Sequence, residues 1–267
     1  IHQRKSPFMD GVPKMSQCSI NPGQSFRYKF NAENPGTHMW HSHLGMQRSD
    51  GVFGALIVRQ AVDLHENLYD FDMTEHIMIT NDWTHVTGAS KFTAHHHGTG
   101  DNKPSNILIN GRGKYFGNMS KVEVQAEVEE EETSTIATTE LFTAEDTTEE
   151  LLESTEKVNV IVEPVKLIRY KRDLVPPNKH APFIPFETFN VVQGNRYRFR
   201  HINAGFLNCP VQISIDNHTL TVVATDGNDI EPKEVTFLVT YAGERWDFLV
   251  NANQIKGNYF IRARGLM

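Results

Sequence analysis

The succession of short, β-prone segments separated by turn residues limits the fold of this chain more than any other feature of its sequence. Each segment is four to six residues long and rich in β-branched or aromatic residues, with glycine, asparagine and aspartate between the segments. Many short strands with frequent turns are typical of a sandwich or barrel, and no long amphipathic helix pattern competes. We therefore predict an all-β fold with strands near residues 25–30, 55–58, 76–80, 105–109, 197–202, 211–215, 220–224, 245–250 and 258–261.

The 267 residues suffice for one large β domain or two medium-sized ones. Hydrophobic residues make up 39% and charged residues 22%, values that are ordinary for a soluble globular protein. No apolar run approaches the length that crosses a bilayer, so we expect no transmembrane segment. No basic stripe with interleaved aromatic residues is present, so we expect no nucleic-acid partner.

Charge is distributed unevenly along the chain. Residues 121–156 hold thirteen acidic side chains and a single lysine, and the rest of the chain is close to neutral. This stretch is rich in Glu and Thr and poor in large apolar residues, so it cannot offset its own ordering entropy. We predict a disordered insertion at about residues 121–157 with a solvating role, and partner binding or attraction of cations as the alternative role.

Both ends of the sequence look cut. The first residue is Ile1 rather than Met, and residues 259–267 run straight out of a strand-like segment. We therefore expect an internal piece of a longer protein. A domain boundary is predicted where the strand at 55–58 gives way to a polar stretch, which divides the chain into residues 1–60 and 61–267.

The most informative stretch lies at residues 36–51 and reads GTHMWHSHLGMQRSDG. Histidines at positions i and i+2 of a strand point to the same face, so His41 and His43 can reach one metal cluster. His38 lies at odd spacing from both and should face the other way. A bare His-x-His pair is a weak signal, because surface histidines without a ligand role are common.

This stretch resembles the second histidine motif of the multicopper oxidases, in which a tryptophan precedes His-x-His, and Gly-x-Gln and Asp-Gly follow. The match of the flanking residues makes the resemblance specific. Residues 1–11 resemble the segment after the family's first motif, His-Trp-His-Gly, which supplies one type 2 and one type 3 copper ligand. Relatives often carry Gln or Phe at the position of His2, so we do not count His2 as a ligand.

Further stretches resemble the second domain of the same family. They read ITNDWTH at 79–85, NKPS at 102–105, ING at 109–111, RYRFR at 196–200, GERWDF at 243–248 and YFIR at 259–262. The resemblance covers nearly the whole chain apart from the acidic insertion, and the style of the motifs is closest to arthropod-type laccases. It implies two cupredoxin-like Greek-key β-sandwich domains, of which the first, residues 1–60, is truncated at its N-terminus.

The resemblance also implies a copper site to which this chain gives some of the ligands. His41 and His43 would each ligate a different type 3 copper of a trinuclear type 2/type 3 cluster. The type 1 copper would lie in a third domain, whose His-x-x-His-x-His and His-Cys-His motifs are not in this sequence. Asp10 matches a family acid that assists proton delivery by general acid–base catalysis. As an alternative, Asp10 simply caps the turn before Gly11.

The implied activity is one-electron oxidation of phenols or diphenols, coupled to four-electron reduction of dioxygen to water. Ascorbate oxidase and ferroxidase activities are alternatives within the family, and a non-catalytic secreted copper-binding or structural cupredoxin protein is an alternative of another class. The partners would be dioxygen, the electron donor and the missing third domain. By itself this piece is expected to be inactive and to fold poorly, because two histidines cannot assemble three coppers and a truncated sandwich exposes strand edges.

The cysteines and glycosylation sequons bear on the cellular compartment. Cys18 resembles a family cysteine that is disulfide-bonded to the third domain, and Cys209 one whose partner lies near the start of the first domain. The two should therefore not bond each other. Asn118 and Asn217 begin Asn-x-Ser/Thr sequons. Together with the resemblance, these features predict a secreted, extracellular glycoprotein with disulfide bonds.

The remaining histidines lack the spacing of metal ligands. The triplet at 95–97 is interpreted as a solvated loop, because three adjacent residues do not converge well on one ion. We interpret as structural the histidines at six further positions, His65, His76, His85, His180, His201 and His218.

Overall fold

The computed structural model describes residues 3–97, 104–113, 186–207 and 209–266. They belong to one compact unit built from Ile1–Phe116 and Phe183–Met267. The acidic insertion predicted at 121–157 lies outside the described residues, as do Asn118 and His180.

Strands dominate the described residues, which confirms the prediction of an all-β fold. They are β1 (Gly36–His41), β2 (Phe53–Val58), β3 (Ile77–Trp83), β4 (Asn106–Ile109), β5 (Arg196–Asn203), β6 (Val211–Ile215), β7 (Leu220–Thr225), β8 (Asn228–Val235), β9 (Leu238–Thr240), β10 (Arg245–Asn251) and β11 (Ile261–Gly265). The helix α1 spans Gly88–His97, and short 3-10 turns lie at Pro7–Met9, Glu66–Leu68 and Thr74–His76.

The strands form three sheets. β1 and β2 form a hairpin, six strands follow the order β4-β3-β5-β10-β7-β8, and three follow the order β11-β6-β9. Neighbouring strands are antiparallel except β3 and β5, which run parallel with Ile77 opposite Arg200. These two strands are adjacent in space although β4 and a long connection separate them in the sequence.

One hydrophobic cluster joins the six-stranded and the three-stranded sheets. Phe199 of β5 stacks on Phe248 of β10, with ring centroids 5.6 Å apart. From the three-stranded sheet, β6 contributes Ile213, which is fully buried. Complete burial of an apolar side chain of this size stabilises the fold by about 1.5–3 kcal/mol. The shared cluster makes the two sheets one sandwich.

β5 reads RYRFRHIN, and its two faces differ in chemistry. Tyr197 and Phe199 belong to the core, whereas Arg198 and Arg200 lie on the opposite face, as the two-residue period of a strand requires. Both guanidinium groups are buried and both donate to Asp247 of β10, Arg198 from Nη2 at 2.7 Å and Arg200 from Nη1 at 2.9 Å. Charge-assisted hydrogen bonds make the burial of these arginines tolerable.

The β1–β2 hairpin packs on this charged face of the sandwich. Arg200 Nη1 donates to Thr37 Oγ1 at 2.9 Å, and Arg245 Nε donates to Thr37 O at 3.3 Å. Gly36 has a φ of +107°, and a Cβ there would lie 2.6 Å from the Cα of Gly227. The hairpin can therefore approach the six-stranded sheet this closely only with glycine at position 36.

Two secondary-structure predictions are wrong. Residues 25–30 do not form a strand: Phe26 and Tyr28 are 43% and 40% exposed, and no described strand pairs with the segment. Its alternating pattern thus has neither a buried face nor a ladder partner. The loop predicted at 95–97 is instead the last part of α1.

β8 and β9 are not apparent from the sequence pattern. β8 reads NDIEPKEV, with a proline and four charged residues, and it pairs only with β7 at the edge of the sheet. An edge strand tolerates proline and charge because one side of its backbone faces away from the ladder. The strand predicted at 258–261 is displaced, since β11 begins at Ile261 and pairs with β6.

Candidate metal centre

The two predicted copper ligands lie together at the loop end of the β1–β2 hairpin. His41 is the last residue of β1 and stands opposite Phe53, and His43 follows two positions later. Their ring centroids are 5.8 Å apart, and the ring planes are inclined by 36°. His41 is half-buried and His43 is exposed. The structure thus brings the pair together with both rings accessible.

The backbone selects the tautomer of His41. Its Nδ1 lies 3.0 Å from the carbonyl oxygen of Ser42, and a carbonyl oxygen can only accept a hydrogen bond. Nδ1 therefore carries the proton in this contact, and the lone pair of Nε2 points away from it. Within the described part of the chain, no hydrogen bond holds the ring of His43. A neutral imidazole with a free ring nitrogen is a good ligand for copper and for several other transition metals.

Trp40 covers the neighbouring backbone of β2. It stands opposite Gly54 in the ladder, and a Cβ at Gly54 would lie 2.5 Å from Trp40 Nε1. The indole ring is 51% exposed and lies flat in the space that the missing side chain leaves. The tryptophan of the histidine motif and the glycine of β2 are thus one packing unit next to His41.

The loop from residue 42 to residue 52 closes on itself through short hydrogen bonds. Ser42 N donates to Val52 O at 2.9 Å, and Val52 N donates to Gln47 O at 3.0 Å. Ser42 Oγ donates to Gln47 Oε1 at 2.5 Å. These contacts involve residues on both sides of His43, so we call residues 42–52 the histidine loop.

Two side chains of the histidine loop tie it to the sandwich. Asp50 Oδ1 accepts from Gly88 N, at the start of α1, at 2.6 Å. A Cβ at Gly88 would lie 2.8 Å from Met46 Cβ, so glycine permits this approach. Arg48 donates from Nη2 to Gly205 O at 2.5 Å and more weakly, at 3.4 Å, from Nε to the preceding carbonyl. The loop therefore rests on the turn that follows β5.

Asp82, at the end of β3, holds the same turn from the other side. Its carboxylate accepts from Phe206 N at 2.9 Å and from Leu207 N at 2.6 Å. Burial raises the pKa of Asp82, while these amides and the positive charge of Arg48 oppose that rise. Burial lowers the pKa of Arg48, and the charge of Asp82 opposes that shift. The two charges therefore stabilise each other across the turn.

The sequence patterns assign no role to Arg48 or Asp82, although both lie inside the stretches that carry the resemblance. Arg48 follows Gly-x-Gln in the histidine motif, and Asp82 precedes Trp83 in the segment at 79–85. Nothing in the local sequence indicates that they meet, because their contact passes through a turn near residue 205. The alignment of β3 with β5, which brings that turn to Asp82, becomes visible only in the fold.

Asp10 lies in the turn that the alternative interpretation describes. Its Oδ1 accepts from Ser16 Oγ at 2.5 Å and from Val12 N at 3.2 Å, and Gly11 has a φ of +84°. The hydrogen bond from Ser16 lowers the pKa of Asp10. The described residues include no hydrogen bond or ion pair from Asp10 to His41, so its acid–base role stays a prediction.

Several other histidines are held as parts of the core. His38 is buried, with Nε2 3.0 Å from Asn34 O, and burial lowers its pKa. His76 is fully buried with Nε2 3.1 Å from Asn190 O. His201 is also fully buried, with Nε2 2.9 Å from Thr80 Oγ1, and burial lowers its pKa to about 3. None of these three rings contacts His41 or His43 in the described part of the chain.

The two cysteines do not bond each other. Both are free thiols, Cys18 exposed and Cys209 buried, and burial raises the pKa of the Cys209 thiol. The disulfide partners that the resemblance implies for them stay predictions. Asn217, which begins the second sequon, is exposed in the turn between β6 and β7.

The donors present fit part of a copper site. Among the described residues, no group of three or more histidine, cysteine, aspartate or glutamate side chains is arranged to hold a metal ion. His41 and His43 supply two imidazole donors, the type that copper favours. A complete coordination shell would thus need ligands beyond this pair.

No helix among the described residues is long and apolar enough to span a membrane.

The fold and the paired histidines define a cupredoxin-like protein whose regular secondary structure, in the described residues, is mostly strand. A family model for multicopper oxidases matches residues 74–267, and a second multicopper oxidase model matches residues 1–63. The chain therefore belongs to the multicopper oxidase family. Members of this family are oxidoreductases that use copper, in a type 1 site and a trinuclear cluster.

Similar proteins include both laccases and ascorbate oxidases. The chain is 30% identical over 269 residues to L-ascorbate oxidase of Cucurbita maxima and 27% identical over 264 residues to laccase-2 of Pleurotus ostreatus. These matches cover 98% of this chain but 37% and 36% of the relatives, so the chain spans little more than a third of their length. The crystal structure of laccase from Botrytis aclada superposes with a TM-score of 0.61 at 26% identity, over 96% of this chain and 36% of that one.

Proposed function

We propose that the complete protein is a copper-dependent oxidase that couples one-electron oxidation of phenols or diphenols to four-electron reduction of dioxygen to water. In this proposal the present chain supplies part of the trinuclear copper site. The observation that carries it is the His41–His43 pair, with ring centroids 5.8 Å apart at the end of β1. Copper, when bound, would accept single electrons and deliver them to dioxygen.

His41 and His43 would be ligands to the two type 3 coppers. The carbonyl of Ser42 holds the proton of His41 on Nδ1, which leaves Nε2 as the ring nitrogen that would bind a metal. The exposed ring of His43 can turn to meet its ligand position. The histidine loop and its ties to the sandwich limit how far the two rings can separate.

Asp10 is proposed to assist proton delivery close to the cluster. The Ser16 hydroxyl donates a hydrogen bond to Asp10 Oδ1 at 2.5 Å and holds the pKa of Asp10 below its usual range, so the carboxylate is ionised at neutral pH. In this role the carboxylate would hold a proton only transiently, as one step of its delivery by general acid–base catalysis.

We further propose the division into residues 1–60, the C-terminal part of the first cupredoxin-like domain, and residues 61–267, the second. The remaining cluster ligands and the type 1 copper would come from other parts of the complete protein, including a third domain. Secretion and glycosylation at Asn217 fit this proposal, because the asparagine is exposed in a surface turn.

Ascorbate is the alternative electron donor. L-ascorbate oxidase of Cucurbita maxima is as similar to this chain as the laccases are, so identity does not separate the two donor classes. A non-catalytic copper-binding role is the alternative of another class, since this chain alone provides two imidazole donors. The donor class would be decided by the assay that follows.

The test is to purify the complete protein and measure its copper content and its oxygen consumption with a diphenol, ascorbate or ferrous iron. His41→Ala and His43→Ala should each lower copper content and abolish oxygen consumption. His218→Ala is the matched control, because this ring packs against Tyr259, with ring centroids 4.9 Å apart, in the turn between β6 and β7. Copper-independent oxygen consumption, or full copper content in His41→Ala, would contradict the proposal. Bound copper without oxygen consumption on any donor would favour the non-catalytic alternative.

A further inference from the structure

We infer that Arg48 and Asp82 are positioning residues for the histidine loop and that they act through the peptide group between Gly205 and Phe206. The inference rests on the proposed function, in which His41 and His43 ligate copper. It assigns a task to two charged side chains that themselves touch neither histidine.

A single peptide group connects the two charges. Its carbonyl, Gly205 O, accepts from Arg48 Nη2 at 2.5 Å. Its amide, Phe206 N, donates to both carboxylate oxygens of Asp82, at 2.9 and 3.0 Å. The positive charge thus lies at the negative end of the peptide dipole and the negative charge at its positive end, so each contact strengthens the other.

The turn that carries this peptide is itself held firmly. Ala204 N donates to Thr80 O at 2.8 Å, and Gly205 N donates to Asn203 Oδ1 at 2.9 Å. The amide of Asn203 in turn donates to Thr240 O at 3.1 Å. Because strands on both sides of the sandwich contribute, the turn is a rigid support.

Burial makes the pair interdependent. Asp82 is only 8% exposed, and Arg48 is partly buried. Removal of either charge would leave the other in a poorly solvated place without its counter-charge, which costs more than an exposed contact would. Lysine cannot replace Arg48 fully, since one ammonium cannot reproduce a planar fork directed at two successive carbonyls.

The effect on the histidines follows from the position of Arg48 in the chain. Arg48 hydrogen-bonds the histidine loop to the turn after β5, and Asp50 hydrogen-bonds it to the start of α1. Without Arg48, the loop would depend on its internal contacts and on Asp50 alone. The rings of His41 and His43 would then sample a wider range of positions, and copper would be bound less tightly.

The experiment compares Arg48→Gln, Asp82→Asn, the double variant and Arg48→Lys in the complete protein. We expect Arg48→Gln and Asp82→Asn each to weaken copper retention against a chelator by about tenfold, as removal of a supporting contact typically does. The double variant should lose no more than the worse single variant, because both act through one peptide. Arg48→Lys should recover part of the loss.

Amide hydrogen exchange supplies a readout that does not depend on copper. In the copper-free protein, Arg48→Gln and Asp82→Asn should speed exchange in residues 42–52 and leave β10 unchanged. Asp63→Asn is the matched control, because Asp63 also accepts a backbone amide and an arginine, His65 N at 2.8 Å and Arg198 Nη1 at 2.5 Å, away from the loop.

The outcomes separate this inference from the proposed function. A wild-type protein that binds no copper would overturn the proposed function, while hydrogen exchange would still test the link between the two charges. A wild-type protein that binds copper, with unchanged retention and loop exchange in Arg48→Gln, would overturn the inference. Equal copper loss in Asp63→Asn would also overturn it, because the effect would then be general destabilisation.

Discussion

Arg198 and Asp247 form a buried ion pair in which Nε and Nη2 both donate to the same oxygen, Oδ2, at 3.0 and 2.7 Å. Both side chains are 2% exposed. Asp247 Oδ2 also accepts from Arg200 Nη1 at 2.9 Å, so one carboxylate oxygen serves two arginines. Asp247 therefore links the two arginines of this face, while Asp63 also accepts from Arg198 and Asp72 also accepts from Arg200.

Asp247→Asn should destabilise the sandwich, because two buried guanidinium groups lose the carboxylate that they share and keep only one carboxylate each, Asp63 or Asp72. We expect a loss of about 2–3 kcal/mol in the free energy of unfolding, below the roughly 3–5 kcal/mol for a buried charge left without any partner. Urea unfolding followed by tryptophan fluorescence would measure it. The control is Asp216→Asn, which breaks the ion pair with Arg262, a side chain that is 61% exposed. This variant should lose less than about 1 kcal/mol in the free energy of unfolding. Equal effects in the two variants would refute the prediction.

Stability should fall as the pH drops below the pKa of a histidine in an unfolded chain, because burial lowers the pKa of His201 and of His38 in the folded protein. For His201 the pKa falls to about 3 in the folded protein, against about 6.5 in an unfolded chain. Between these values the unfolded state binds the proton and the folded state does not. The stabilising contribution of His201 is therefore complete above about pH 6.5 and is lost progressively towards pH 3.

The measurement is urea unfolding at a series of pH values. His201→Gln should flatten the slope between pH 3 and 6.5. Asp72 adds a separate loss at lower pH: burial alone would raise its pKa, but Arg200 and Arg59 outweigh burial and lower it. A slope that persists unchanged in His201→Gln would assign it to other groups.

Gly54→Ala should disturb the packing beside the histidine pair. The new Cβ would lie 2.5 Å from Trp40 Nε1, so the indole ring must move. We expect destabilisation of about 1–3 kcal/mol, as for other overpacked sites, and a changed fluorescence spectrum of Trp40. Gly257→Ala is the control, because the nearest atom to its Cβ is 3.7 Å away. No spectral change in Gly54→Ala would mean that the ring is not held where the structure places it.

Secretion of the complete protein should add a glycan at Asn217. The side chain is exposed and lies in a tight turn with a φ of +60°, a conformation that asparagine tolerates better than most residues. Expression in a secreting eukaryotic host followed by mass spectrometry would show the added mass. Thr219→Ala removes the sequon without touching Asn217 and should remove that mass. An unmodified Asn217 in the secreted wild type would disprove this prediction.

The spacing of apolar residues predicts most strands of the sandwich, because each of these strands buries one or both of its faces. β6 and β10 were predicted within one residue at each end, since apolar residues of Val211–Ile215 and Arg245–Asn251 fill the core. β8 was missed because an edge strand does not need apolar residues on both sides. The segment at 25–30 was predicted wrongly because alternation alone cannot show whether a partner strand is present.

The candidate site could be predicted only in part. The His-x-His spacing and the flanking residues that resemble the family motif predict His41 and His43 as a pair, and their rings lie 5.8 Å apart although β1 ends at His41. Their role as ligands stays a prediction. The link from Arg48 to Asp82 could not be predicted, since it depends on where the turn after β5 lies in three dimensions. For Asp10, the sequence offered a catalytic and a turn-capping role, and the observed hydrogen bonds are those of the turn.

The parallel pairing of β3 with β5 affects how the chain assembles and how it can change in evolution. The six-stranded sheet is complete only when β3 has paired with β5, with Ile77 opposite Arg200. The connection from residue 110 to residue 195 lies between the two strands in the sequence. Such non-local pairing makes folding slow, and sheet closure a late event. The entropic penalty of closing a connection grows only with the logarithm of its length, by about 0.6 kcal/mol per doubling. This connection can therefore lengthen or shorten between relatives with little thermodynamic consequence for the end of the molecule that carries His41 and His43.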